Sequence, residues 1–177
     1  YSTRMHLRGR DGFYTGEPAV SDPLSRPVNL PWPPIVITVT IVVAIILGAW
    51  VPIPWISGPF AEFLFAVGCL ILAGGVAMIV LSIRALSRHK TTVSPMRPAS
   101  HLVSDGPFAI SRNPIYLGAI MVLIALALII HNPWFMILGP VAGAAINYLA
   151  ILPEEKHLDL RFGRRYRDYA KRVRRWI

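Results

Sequence analysis

Four apolar runs, at 35–51, 60–83, 115–130 and 134–152, alternate with polar stretches along the chain, and none of them holds a Lys or Arg. All 18 basic residues fall between or beyond them. Arg4, Arg8, Arg10 and Arg26 lie in the amino-terminal stretch. Arg84, Arg88, Lys90, Arg97 and Arg112 lie in a central one, and the rest lie after residue 152. A bilayer core of ~30 Å needs about 20 apolar residues as helix, and helix is the one open structure that satisfies its own backbone there. The pattern therefore predicts an all-α polytopic membrane protein with four transmembrane helices. Four crossings put all three basic stretches on one side, and the positive-inside rule makes that side the cytoplasm. The expected organisation is a cytoplasmic tail over 1–34 and a membrane domain over 35–177, ending in a cytoplasmic amphipathic helix over 153–177.

The connectors sharpen this picture. Pro31, Pro33 and Pro34 suit a helix start, and Trp32 and Trp50 bracket the first run as interface anchors. The first run is read as a retained span, because it begins too late for a signal peptide and lacks a small-residue cleavage site. The loop at 52–59 is short and uncharged, as an outer turn should be. Glu62 fits the headgroup level, and Gly74-Gly75 fits a close helix contact or a kink. His131-Asn132-Pro133 leaves room only for a tight antiparallel hairpin between the third and fourth runs. By contrast, the stretch 84–113 is long, proline-punctuated and without clear periodicity, which predicts an ordered functional loop. After Pro153, the residues Leu158, Phe162, Tyr166, Tyr169, Val173 and Trp176 recur at steps of three or four among Arg and Lys. That is a basic amphipathic helix lying on the inner leaflet, and Gly163 is the place for a bend. Such a helix is positioned to wall or cover a pocket at its start.

Composition adds little but excludes much. The chain has 177 residues, 54% of them hydrophobic, and a mean hydropathy of +0.53, too apolar for an ordinary soluble domain. Its net charge of +9 is accounted for by topology and by anionic lipid headgroups, so no nucleic-acid partner is inferred. Cys69 is the single cysteine, which rules out an internal disulfide and argues against a cysteine-based metal site; no metal is implied.

The hairpin brings two polar clusters to the same membrane face. One runs from Ser104 to Tyr116, the other from Glu154 to Arg161. A pocket there would gather Arg112, Asn113, Tyr116, Glu154, Glu155 and His157, with His101 as a further loop member. Each has an ordinary role as well. A Glu-Glu pair at a helix start compensates the helix dipole, Arg112 can snorkel, and tyrosines favour interfaces.

The text SDGPFAISRNPIYLG followed by EEKHLDLRFGRRYRDYAKRV resembles the isoprenylcysteine carboxyl methyltransferase and phospholipid methyltransferase superfamily of integral membrane enzymes. Two separated motifs recur in order over about half the chain: Arg-Asn-Pro-x-Tyr-x-Gly, then Glu-Glu with Phe-Gly-x-x-Tyr-x-x-Tyr. The resemblance implies that S-adenosylmethionine binds at the cytoplasmic ends of the last spans. It implies a cofactor site of His101, Leu102, Val103, Gly106, Pro107, Phe108, Arg112, Asn113, Pro114, Tyr116, Leu117, Gly118, Glu154 and Glu155. Arg112, Glu154 and His157 would be the catalytic candidates. Carboxylates suit the cofactor's cationic groups, Arg112 its carboxylate, and Tyr116 its adenine or sulfonium. One departure stands out: prenylcysteine-methylating members carry His where this chain has Asn113. The fourth run also has no Arg or Lys to hold a substrate carboxylate, only Asn147.

The sequence thus predicts methyl transfer from S-adenosylmethionine to a lipid-like or amphiphilic acceptor, at the cytoplasmic face of a prokaryotic inner membrane. A nicotinamide-dependent membrane reductase of the sterol-reductase type, or a non-enzymatic lipid-binding scaffold, is the alternative. The identity of the acceptor is not written in these motifs.

Overall fold

A computed structural model describes residues 31–89 and 101–177. Most of the amino-terminal tail, and Lys90 and Arg97 of the central stretch, lie outside the described residues. Those that are described form helices and connecting turns without a strand. Helix α1 is Trp32–Trp50 and α2 is Pro59–Arg88. A short 3-10 turn, Gly106–Ala109, precedes α3, Pro114–Ile129, and α4, Pro133–Ile146. A π-helical turn, Asn147–Ile151, leads into α5, Leu152–Phe162, and α6 is Arg164–Arg172.

Proline opens α1, α2, α3 and α4, where its missing N–H costs no helical hydrogen bond. Helix α2 continues five residues beyond the expected end of its apolar run. Arg84-Ala85-Leu86-Ser87-Arg88 contains good helix formers, and their charge does not interrupt the backbone ladder. The long loop expected from residue 84 therefore begins later.

Three helical stretches are long and apolar enough to cross a membrane: Trp32–Trp50, Pro59–Arg88 and Pro133–Phe162; the fourth apolar helix, Pro114–Ile129, is shorter, at 16 residues. The third stretch joins α4, the π turn and α5, so the expected break at Pro153 is absent. Proline inside a helix collides with the carbonyl four residues back and removes a donor. The wide turn relieves this: the Leu152 N–H donates to the Asn147 carbonyl, five residues back, just ahead of Pro153.

The basic tail also departs from one continuous helix over 153–177. Gly163 takes φ +53°, a left-handed conformation that ends α5 and starts α6 at a new angle. After Arg172 the chain turns extended at Val173, leaving a short strap over 173–177 that doubles back onto the bundle.

The helices pack as a row: α2 on α3, α3 on α4, and α4 on α1. Small residues set the α2–α3 spacing. A Cβ at Gly118 would sit 2.7 Å from the Gly75 carbonyl oxygen, and one at Gly75 would sit 2.9 Å from that of Gly118. Such backbone contact is how helices associate where lipid is as apolar as their side chains. The centre is filled by Ala44, Leu123, Ala127, Phe135 and Ala142. A second cluster, Ile146, Ala150 and Ile151, is covered by Trp32, Tyr116 and Trp176. Large apolar residues such as Val39, Ile45, Phe63 and Leu70 face outward, Leu70 with 74% of its surface exposed. The tight turn between α3 and α4 is closed by Asn132. Its Oδ1 accepts from the Trp134 N–H, and its Nδ2 donates to the Ala44 carbonyl at 2.9 Å, tying the turn to α1.

Candidate functional site

The site grows from the link between the 3-10 turn and α3. Gly106 has φ +57°, which turns the chain ahead of Phe108, whose carbonyl meets the tail. The Tyr169 hydroxyl donates to the Phe108 carbonyl at 2.7 Å. Ser111 and Asn113, both buried, are bonded to each other, the Asn113 N–H donating to Ser111 Oγ. Both side chains then reach the strap. Ser111 Oγ donates to the Arg175 carbonyl at 3.1 Å, and Asn113 Nδ2 donates to the same oxygen at 3.0 Å. The Arg112 N–H donates to the Arg174 carbonyl at 3.0 Å. Three successive residues thus hold the backbone of the strap.

The strap returns a charge. Arg175 grips Glu155 with two parallel bonds, Nε to Oε1 at 3.0 Å and Nη2 to Oε2 at 2.7 Å. This bidentate fork is the strong form of an ion pair, and it raises the pKa of the Arg175 guanidinium. Arg112 approaches the same carboxylate, Nη1 lying 3.2 Å from Oε1, and also donates to the Tyr166 hydroxyl at 3.2 Å. The side chains of Arg112 and Glu155 each keep only 15% exposure. Arg112 Nε is buried with no hydrogen-bond partner among the described residues. Burial pushes the Tyr166 phenol up to about 12, with the negative charge of Glu155 adding to the effect. Burial also pushes the Tyr169 phenol up. Both tyrosines are therefore neutral donors or acceptors here.

Glu154, one residue earlier on α5, faces differently. Its Oε2 accepts from the Tyr116 hydroxyl on α3 at 3.2 Å. No ion pair reaches Glu154 among the described residues, whereas Glu155 is shared by two guanidiniums. The two adjacent carboxylates are thus chemically distinct: one is neutralised by cations, the other holds a single neutral donor.

The expected residues divide accordingly. Arg112, Asn113, Tyr116, Glu154 and Glu155 are brought to one end of the α3–α4–α5 hairpin. His157 is buried on α5. Pro114 is buried at the first turn of α3, and the Leu117 N–H closes that turn on the Asn113 carbonyl. The close approach at Gly118 is made to α2. Val103 is buried and Leu102 half-buried, while His101 is exposed. Sequence reading had not singled out Ser111 or Arg175 for this end. Arg175 was one of nine basic residues in the tail, and nothing in its spacing set it apart; Ser111 is adjacent to the Arg-Asn-Pro motif, which was the available signal.

The donor set suits a zwitterionic sulfonium compound. Among the described residues no ion pair holds the Glu154 carboxylate, and Arg112 Nε is a buried donor without a hydrogen-bond partner, suited to an anionic group. A family model described as phospholipid methyltransferase matches residues 63–165, more than half of the chain, from α2 to the start of α6. No curated protein and no solved structure matches.

Proposed function

The chain belongs to the phospholipid methyltransferase family, and on that premise we propose that it methylates a lipid-like acceptor with S-adenosylmethionine at the cytoplasmic face of a prokaryotic inner membrane. It is an integral membrane protein of a methyltransferase family; the cofactor, the acceptor class, the membrane side and a count of four spans are our reading. The short helix Pro114–Ile129 is taken as the additional crossing. At about 1.5 Å per residue it is roughly 24 Å long, so it would cross with its ends close to the headgroups.

The observation that carries the proposal is the contrast between Glu154 and Glu155 beside Arg112. Glu154 would receive the cationic part of the cofactor, and Arg112 its carboxylate. Glu155 holds Arg112 in place and is itself held by Arg175. The bound cofactor supplies an electrophilic methyl group. The chain's own contribution is to position the reactants and exclude water, since a displacement at carbon needs little covalent help. The strap and α6 would cover the site, with Tyr166 and Tyr169 on the buried side of α6. An amine acceptor would lose a proton, and Glu154, His157 or His101 would take it.

Titration calorimetry on the purified protein tests the reading. S-adenosylmethionine should bind and NADPH should not. Glu154→Gln and Arg112→Ala should each weaken cofactor binding by roughly 1.5–3 kcal/mol, the range for losing a charge-assisted contact. Unchanged binding in both variants would remove these residues from the site, and binding of NADPH alone would favour a reductase.

A further inference from the structure

Two guanidiniums meet on one carboxylate at this end of the bundle. Arg175 takes both oxygens of Glu155, and Arg112 adds a further contact at Oε1. The three side chains carry two positive charges against one negative, so the cluster is one anion short. Glu154 does not make up the difference. Its Oε2 accepts from the neutral Tyr116 hydroxyl, and among the described residues no ion pair joins it to either arginine. Arg112 is the member with capacity to spare. Its Nη1 is engaged by Glu155 and Tyr166, while its Nε is buried without a hydrogen-bond partner among the described residues. An unmade bond on a buried cationic group is costly, and it calls for an acceptor.

Arg175 decides how much of that capacity survives. Its fork occupies both oxygens of Glu155. With Arg175 absent, the same geometry would be open to Arg112, which already lies 3.2 Å from Oε1. A two-point pair of guanidinium and carboxylate is stronger than a single contact. Arg112 would then be neutralised by Glu155 and turned away from any other anion.

We propose that Arg175 is a positioning residue for the cofactor's carboxylate: by saturating Glu155 it leaves the Arg112 guanidinium uncompensated for that group. The assignment rests on the methyl-transfer reading and deepens it, giving a role to a side chain that lies in the strap and outside both motifs. Arg175 acts through Glu155 and Arg112 and is not placed on the ligand. The strap does not hang on this side chain alone. Ser111, Arg112 and Asn113 hold it through the carbonyls of Arg174 and Arg175. A change of the Arg175 side chain therefore alters the charge balance while those backbone anchors remain.

Titration calorimetry on the full chain, with S-adenosylmethionine and with its decarboxylated analogue, separates this role from simple anchoring. The two ligands share the adenosine, the sulfonium and the amine, and differ by the carboxylate. Wild type should prefer S-adenosylmethionine by about tenfold, the effect of one charge-assisted contact. Arg175→Gln should remove that preference, weakening S-adenosylmethionine about tenfold while the analogue binds at least as tightly as before. Arg175→Lys keeps a cation on Glu155 without the fork and should recover part of the difference. Equal losses for both ligands in the glutamine variant would make Arg175 an anchor of the strap alone and overturn the assignment. So would a wild type without preference, or a lysine variant no better than the glutamine one. A wild type that binds neither ligand would instead remove the methyl-transfer reading itself.

Discussion

The seam between α2 and α3 and the cap where 111–113 meets 173–175 are both close backbone approaches, built from opposite materials. In the seam the chains meet because side chains are missing, with Gly75 and Gly118 each facing the other's carbonyl. In the cap they meet because side chains are present. Ser111 and Asn113 share one carbonyl, and Arg112 and Arg175 share one carboxylate. Charges out of water are costly unless paired and hydrogen-bonded. A bundle whose packed helices are apolar over most of their length and still assembles this cap has a use for it in chemistry or in anchoring. The seam, needing only small residues, carries no such message.

Breaking each one separates the two. Replacing Glu155 with Ala strands Arg112 and Arg175 together. Removing one partner of a buried pair costs about 3–5 kcal/mol; this cluster is partly exposed, so the loss is smaller than that, but the melting midpoint in micelles should still drop, and cofactor binding should go with it. A midpoint equal to wild type would show that the strap is held by something other than this carboxylate. Gly75→Val pushes a branched side chain toward the Gly118 carbonyl and should cost about 1–3 kcal/mol of overpacking. There the expected pattern is a lower midpoint with cofactor binding retained below it. Loss of binding in the still-folded variant would mean that the seam reaches into the site.

The two regions also differed in what was legible. The seam was half legible: Gly74-Gly75 in an apolar run offered a close contact or a kink, while Gly118, which meets Gly75, stood among the expected cofactor residues. The apolar runs and the hairpin at His131-Asn132-Pro133 were legible because hydropathy and proline act locally. The cap was half legible as well. Arg112, Asn113, Tyr116, Glu154 and Glu155 lie in motifs beside helix ends, and the topology alone juxtaposes them. Arg175 was not, since its partner is 20 residues away and depends on two turns, at Gly163 and Val173, that redirect the chain. The continuity of α4 into α5 was hidden too. Pro153 signals a helix start when read locally, and only the π turn before it allows the helix to pass through.

A smaller perturbation asks whether Asn113 is structural. Its amide donates to the Arg175 carbonyl, which Ser111 also satisfies. Asn113→Ala should therefore cost only about 1 kcal/mol, since the carbonyl keeps one donor. Backbone hydrogen exchange in 173–177 should quicken modestly while the helices stay protected. Complete release of the strap would assign Asn113 more than this one bond.

The smallest effect lies at alkaline pH and isolates the tyrosine beneath the cap. The Tyr166 phenol is raised from 10.0 to about 12 in the folded protein, chiefly by burial. A group that holds its proton more tightly when folded contributes its full stability below the unfolded pKa and loses it as pH rises through the folded one. The contribution is therefore intact up to about pH 10 and falls away toward pH 12, by no more than about 1.4 kcal/mol per pH unit. The raised Tyr169 phenol adds a loss in the same direction. Tyr166→Phe removes one titrating group and also the hydroxyl that accepts from Arg112. The variant should start less stable at neutral pH and then lose stability less steeply than wild type between pH 10 and 12. Melting curves across that range read both quantities at once. Parallel slopes for the two proteins would mean that the phenol ionises as freely in the folded cap as in the unfolded chain, and that the cap is wetter than its packing implies.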